Sequence, residues 1–196
     1  MISDEALMLD FQGGSRDAFE QLYTRYQCRL CAFFRRRLAN TARAEDLTQE
    51  TFLAVIRGAA GYQPLALFRT YLYAIAMNSL LAERRKQAQD GSPYDGVREA
   101  AVRPLHDESL WIRQALQRLE PVEREILMLR EYEQLSYADI AELLHLPVNT
   151  VRSRLFRARM ALKQLLQGNP DRKERAAAGV TTIRLNQNFK GEACDA

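Results

Sequence analysis

The 196-residue sequence predicts an all-α protein of two small helical domains joined by a flexible linker, the second a helix-turn-helix domain. Three observations predict it. Apolar residues recur at helical spacing from residue 3 to about 87. The stretch "QAQDGSPYDGVREAAVRPLHD" (87–107) loses that period and gathers glycine, proline and aspartate, the composition of a linker. Beyond it, "LSYADIAELLHLPVNTVRSRLFRARMALKQLL" (135–166) holds two helical patterns separated by a break at His145 to Pro147. The expected boundaries are 1–87, a linker at 88–108, 109–167, and a flexible tail at 168–196.

The first domain is justified by successive apolar series. Phe19, Leu22, Tyr23, Tyr26, Leu30 and Phe33 form one, Leu47, Phe52, Leu53 and Ile56 a second, and Leu67 through Leu81 a third. Residues 58–64, Gly-Ala-Ala-Gly-Tyr-Gln-Pro, interrupt them and predict a loop, because glycine loosens a helix and proline cannot continue one. "CRLC" at 28–31 has the spacing of a redox or half-zinc motif. It falls inside an apolar helix with no second ligand pair, so core packing is favoured and redox sensing is the alternative. With Cys194 the count is three, too few for a disulfide framework.

Composition narrows the function classes. At 47% apolar and 27% charged residues the chain has a globular balance. No run approaches the roughly 18 apolar residues of a membrane span, and the start "MISDEALMLDFQGG" is acidic where a signal peptide is basic, so a cytoplasmic location is expected. A net charge of +3 is uninformative in sum but not in distribution. Acids outnumber bases seven to four from Trp111 to Glu142, whereas Leu143 to Gly168 holds five bases and no acid. His106 and His145 are the only histidines and stand apart, and no phosphate-binding glycine loop or nucleophile elbow is present. No catalytic residue, metal site or cofactor is expected.

In the second domain Ser136 can cap a helix, with Asp139 completing an acidic capping box. Ile140, Ala141 and Leu144 should face inward. The next helix begins near Val148 and separates into two faces. Val151, Leu155, Ala158, Leu162 and Leu165 form the buried one, and Asn149, Arg152, Ser153, Phe156, Arg157 and Met160 lie opposite. Arginines on a helix are often mere solvated decoration. Phe156 and Met160 among them favour a major-groove surface, where guanidinium forks meet guanine or phosphate and an apolar ring meets a thymine methyl. Arg154 and Arg159 flank the buried stripe and suit phosphates or neighbouring acids. In the first domain, "LFRTYLYAIAMNSLLAERRK" (67–86) mixes aromatics with a basic end, which suits unpaired bases. Phe68, Tyr71 and Ile75 also fit a core at that spacing.

The chain resembles bacterial RNA polymerase sigma factors of the small extracytoplasmic-function group. "AFEQLYTRY", "AEDLTQETFLAVIR" and "RTYLYAIAMNSLLAERRK" resemble that family's region two, and residues 115–162 its region four. The resemblance implies that Asp46, Gln49, Glu50 and Phe52 meet the beta-prime clamp of core RNA polymerase. It implies that Tyr62, Gln63, Phe68, Tyr71 and Asn78 serve recognition of the promoter minus-ten element, where an extruded base needs a stacking wall and polar groups. Arg130, Asn149, Arg152, Ser153, Phe156 and Arg157 match minus-thirty-five positions. Implied partners are core polymerase through its beta-prime clamp and beta flap, promoter DNA, and an anti-sigma factor, without direct membrane insertion. Tyr71 replaces a usual tryptophan, Ala82 a common aspartate, and His145 and Asn149 usual glycines. "GYQPLALF" lacks the family's small polar residues, so the promoter base is left open. The alternative is a freestanding helix-turn-helix regulator.

Overall fold

The structure is a computed structural model that describes residues 2–38, 40–89 and 107–167, with backbone alone at 107–110. Residues 90–106 of the linker expected at 88–108 and the 168–196 tail, with His106 and Cys194, lie outside the described residues, whereas the linker's ends at 88–89 and 107–108 are helical. Those residues contain helices and turns but no strand, and no helix among them is long and apolar enough to cross a membrane. The chain divides into two compact units.

Among the described residues the first unit is built on four α-helices, each started by a side chain that satisfies a free amide. Ser3 accepts from the Ala6 N–H at 3.1 Å to begin α1 (Asp4–Gln12), and Ser15 accepts from Ala18 at 3.3 Å to begin α2 (Arg16–Arg35). Gly14 between them has φ +103°, where a β-carbon is disfavoured. Asn40 caps α3 (Thr41–Gly58) through the Arg43 amide at 3.1 Å. A 3-10 turn (Ala59–Gly61) and an extended loop then lead to α4 (Phe68–Gln89). Its cap comes from elsewhere in the fold: the Phe68 N–H donates to Glu5 Oε1 of α1 at 2.8 Å.

Leu7, Met8, Leu22, Leu30, Phe33, Leu47, Leu72 and Tyr73 are buried at the centre of this unit. Each such side chain contributes about 1.5–3 kcal/mol by leaving water. Tyr23, Leu53, Ile56, Leu67 and Leu81, expected within the apolar series, are instead exposed. The packed face of α3 is Ala44, Leu47, Thr48, Thr51, Phe52 and Val55, so Leu53 and Ile56 turn outward. Cys28 and Cys31 are half-buried one turn apart on α2, and burial pushes the Cys31 thiol up, away from the reactive thiolate.

The second unit is built on α5 (Asp107–Gln117), α6 (Pro121–Glu131), the start of α7 (Tyr137–Leu144) and α8 (Val148–Gln167). Glu120 caps α6 through the Glu123 amide at 3.0 Å, with Pro121 at the first helical position where no N–H is needed. The capping box is formed: Asp139 N–H donates to Ser136 Oγ at 3.1 Å, and Ser136 N–H to Asp139 Oδ2 at 2.9 Å. Ile126, Leu129, Leu135, Ile140, Val151, Leu155 and Ala158 are buried, while Leu144, Leu162 and Leu165 are only half-buried. The turn closes with His145 at φ +53°. Asn149 is absent from the positive-φ positions and lies in the first turn of α8, so the left-handed residue of this turn is His145 alone.

Candidate nucleic-acid interface

Helix α8 presents Asn149, Arg152, Ser153, Phe156 and Arg157 to solvent, with Phe156 66% exposed. A ring that open on a helix otherwise well buried along Val151, Leu155 and Ala158 is costly in water and suits an apolar contact. Its arginines have different neighbours. Arg154 Nη1 lies 3.6 Å from Glu120, Arg157 Nε donates to Glu123 Oε1 at 2.8 Å, and Arg159 donates through Nε and Nη2 to Glu131 Oε1 at 3.2 and 2.7 Å. Arg154 and Arg159 thus face neighbouring acids. Arg152 has no acidic partner among the described residues. Arg130 is half-buried: its Nη1 donates to the Leu135 carbonyl at 2.7 Å and its guanidinium lies 5.1 Å from the Tyr137 ring centroid. It closes the connection between α6 and α7.

The loop before α4 is held from both ends by α1. Gln12 Nε2 donates to the carbonyls of Ala59, Ala60 and Tyr62 at 3.0, 3.0 and 3.3 Å, and Glu5 holds the Phe68 amide. Between these ties Gln63, Pro64, Ala66 and Leu67 are exposed, and Leu65 is 88% exposed. Tyr62 and Phe68 are buried, which corrects the expectation that they offer stacking faces. Tyr62 packs its ring 5.2 Å from Tyr71 and 6.4 Å from Phe68, forming a floor under the loop. Burial raises the Tyr62 and Tyr71 phenols, so both stay neutral. Tyr71 and Ile75 are half-buried and Asn78 is exposed, on one stripe of α4 at helical spacing. Asn78 begins about 15 Å along the axis from Phe68, so it flanks the loop and does not line it.

On α3, Asp46, Gln49 and Glu50 share an exposed face with Leu53 and Ile56. Phe52 does not. At 3% exposure it sits against Tyr23 and Phe19, with centroids 4.7 and 6.2 Å away, and is a core residue, not a surface contact. Arg43 organises this face: Nη1 donates to Glu50 at 2.7 Å and lies 3.8 Å from Asp46, while Nε and Nη2 donate to Glu83 of α4 at 3.0 and 2.9 Å. These hydrogen bonds raise the guanidinium and, foremost, Arg43 holds the Glu83 carboxyl below its ordinary value. Gln12, Glu5, Arg43 and Glu123 were not singled out by sequence. Each reaches a partner 34 to 63 residues away, beyond the reach of a local pattern. Among the described residues no cluster of histidine, cysteine and carboxylate side chains is placed to hold a metal.

A model of sigma-70 region 2 matches residues 22–89, and one of sigma-70, region 4, matches residues 109–162. The chain is 34% identical over 181 residues to the RNA polymerase sigma-H factor of Pseudomonas aeruginosa, covering 84% of this chain and 94% of that one. It is 32% identical over 183 residues to the ECF RNA polymerase sigma-E factor of Haemophilus influenzae, covering 85% and 96%. The fold is similar to that of the sigma factor RpoE of Bartonella quintana, solved with the anti-sigma factor NepR. The TM-score is 0.66 at 24% identity over 77% of this chain and 98% of that one. A freestanding regulator would leave the region 2 match without a purpose. Both regions are present in order, in relatives matched over nearly their whole length, and the chain belongs to the ECF family of RNA polymerase sigma factors, which direct promoter-specific transcription initiation.

Proposed function

We propose that α8 reads the minus-thirty-five element in the major groove through Arg152, Ser153, Phe156 and Arg157, with Asn149 and the helix amino end near the phosphates. The observation that carries this is the separation of α8 into a buried apolar face and an exposed face that mixes guanidinium groups with Phe156. Arg130 supports the motif from behind through its bond to Leu135.

The exposed loop, with Gln63 and Leu65 at its surface and Tyr71 beside it, receives an unpaired base of the minus-ten element. Asn78 and Arg85 follow on the same face of α4 and guide the strand. The α3 face of Asp46, Gln49, Glu50, Leu53 and Ile56 meets the beta-prime clamp of core polymerase, its carboxylates answering basic side chains around an apolar centre. The beta flap is the expected partner of the second unit. An anti-sigma factor covers the DNA-binding surfaces when the chain is held inactive, a reading supported by the complex of the RpoE relative with NepR. The chain acts in the cytoplasm and performs no covalent chemistry.

Run-off transcription with purified core polymerase tests this. The chain should direct initiation from a subset of genomic promoters while binding the same duplexes poorly alone. Alanine at Arg152 or Arg157 should cost about 1–3 kcal/mol at promoters that use a bidentate base contact. No initiation on any genomic fragment would reject the proposal, and unchanged promoter choice in both variants would remove α8 from it.

A further inference from the structure

The geometry points to Glu123 as a positioning residue that aims Arg157 at a guanine of the minus-thirty-five element. This rests on the proposal above that α8 reads that element.

Glu123 is the fixed member of the pair. It lies in the first turn of α6, where its own N–H is bonded to Glu120 Oε2 and Pro121 rigidifies the helix start. Its side chain is only 15% exposed, against 61% for Arg157. A long, open arginine has several rotors to immobilise before it can recognise a base, and an anchored acceptor removes part of that freedom in advance.

The atom it holds matters more than the charge. Glu123 Oε1 accepts from Nε alone, at 2.8 Å, and both Nη groups of Arg157 are without a partner among the described residues. Guanidinium has five N–H donors in a planar fork, and the terminal pair on Nη1 and Nη2 fits guanine O6 and N7. Holding Nε leaves both terminal amino groups available to the edge of a base. Arg159 is held differently, because Nε and Nη2 both converge on Glu131 Oε1 and Tyr137 is a further hydrogen-bond partner. Arg154 is half-buried and 3.6 Å from Glu120. Of the three α8 arginines with an acidic partner, Arg157 alone is anchored with its terminal fork free.

A carboxylate at a DNA surface repels phosphate, so Glu123 should trade general affinity for base discrimination. The full-length chain with core polymerase is assayed on a promoter library randomised across the minus-thirty-five element, and base preference is read at each position. Arg157→Ala should abolish a guanine preference at one base pair, about tenfold. Glu123→Met keeps the stem and removes the acceptor, and should weaken the same preference severalfold while sparing other positions. Glu123→Gln keeps an amide oxygen for Nε and should retain most of it with higher affinity for all duplexes. A Glu123→Met profile unchanged, or weakened evenly at every position, would overturn the proposal. If Arg157→Ala itself changes no preference, the assignment of Arg157 as a reader fails first, so the two failures are distinguishable. Glu123→Ala reads the same preference should the methionine variant fold poorly.

Discussion

At His145 a side chain occupies a backbone conformation that suits glycine. With φ +53°, its β-carbon crowds the following carbonyl, which costs about 1–2 kcal/mol, part of which glycine returns as greater freedom in the unfolded chain. His145→Gly should therefore raise the stability of the chain by about 0.5–1 kcal/mol, seen as a higher denaturant midpoint with an unchanged slope. An unchanged or lower midpoint would mean that the imidazole makes a compensating contact. The sequence showed that a glycine-type position had been replaced but not which of His145 and Asn149 bore the strain, because dihedral angles are set by where the turn closes. Phe52 teaches the converse. Asp46, Gln49 and Glu50 are spaced three and four apart and share a face, and Phe52, about 60° around the helix from Gln49, falls at the edge of that face, where packing against Phe19 and Tyr23 buries it. The resemblance of "AEDLTQETF" joined residues that tertiary packing, set by α2, separates.

Elements defined by their own residues were legible, and elements defined by distant partners were not. The capping box of α7 and the faces of α8 lie within one helical turn of the residues that form them. The loop before α4 depends on Gln12 and Glu5, 47 to 63 residues away, and the packing of α3 on α4 depends on Arg43 reaching Glu83, 40 residues away. This last contact has a pH signature. The Glu83 carboxyl is held below its ordinary 4.5 chiefly by the Arg43 hydrogen bonds, against the opposing effect of burial. A carboxyl lowered on folding contributes stability that is full above its unfolded value and is lost as pH falls through its folded value. Glu83→Gln should cost about 1–3 kcal/mol at neutral pH, less than for a fully buried pair because Arg43 is partly open to solvent. Thermal midpoints of wild type and variant should converge below pH 4.5. Parallel curves down to acid pH would assign the acid loss to other carboxyls.

Over the whole molecule, the order of two helical regions with a linker was legible because composition and period change along the chain, and the same scale holds the charge balance that sequence could locate but not resolve. The five bases from Leu143 to Gly168 read as a strong positive surface. Folding sets acids of Glu120, Glu123 and Glu131 beside three of the arginines, leaving Arg152 as the α8 arginine without one among the described residues. Exposed pairs of this kind are worth about 0–1 kcal/mol, so they do not lock an arginine away from a phosphate. On the proposed reading, an acid paired with an α8 arginine would nevertheless lie within about one Debye length of the DNA and repel it. On the proposed reading of α8, counter-charge carried on α6 predicts weak duplex binding by the chain alone, with discrimination left to base contacts. Glu131→Gln tests this apart from Glu123, since Arg159 is outside the proposed reading face. On a duplex without promoter sequence, the variant should bind more tightly, and its log affinity should fall more steeply with log salt by up to about 0.9, the increment for one further neutralised phosphate. Base preference in run-off transcription should be unchanged. Fluorescence anisotropy across a salt series reads the slope, and an identical slope for variant and wild type would show that the α6 carboxylates do not limit the approach of α8 to DNA.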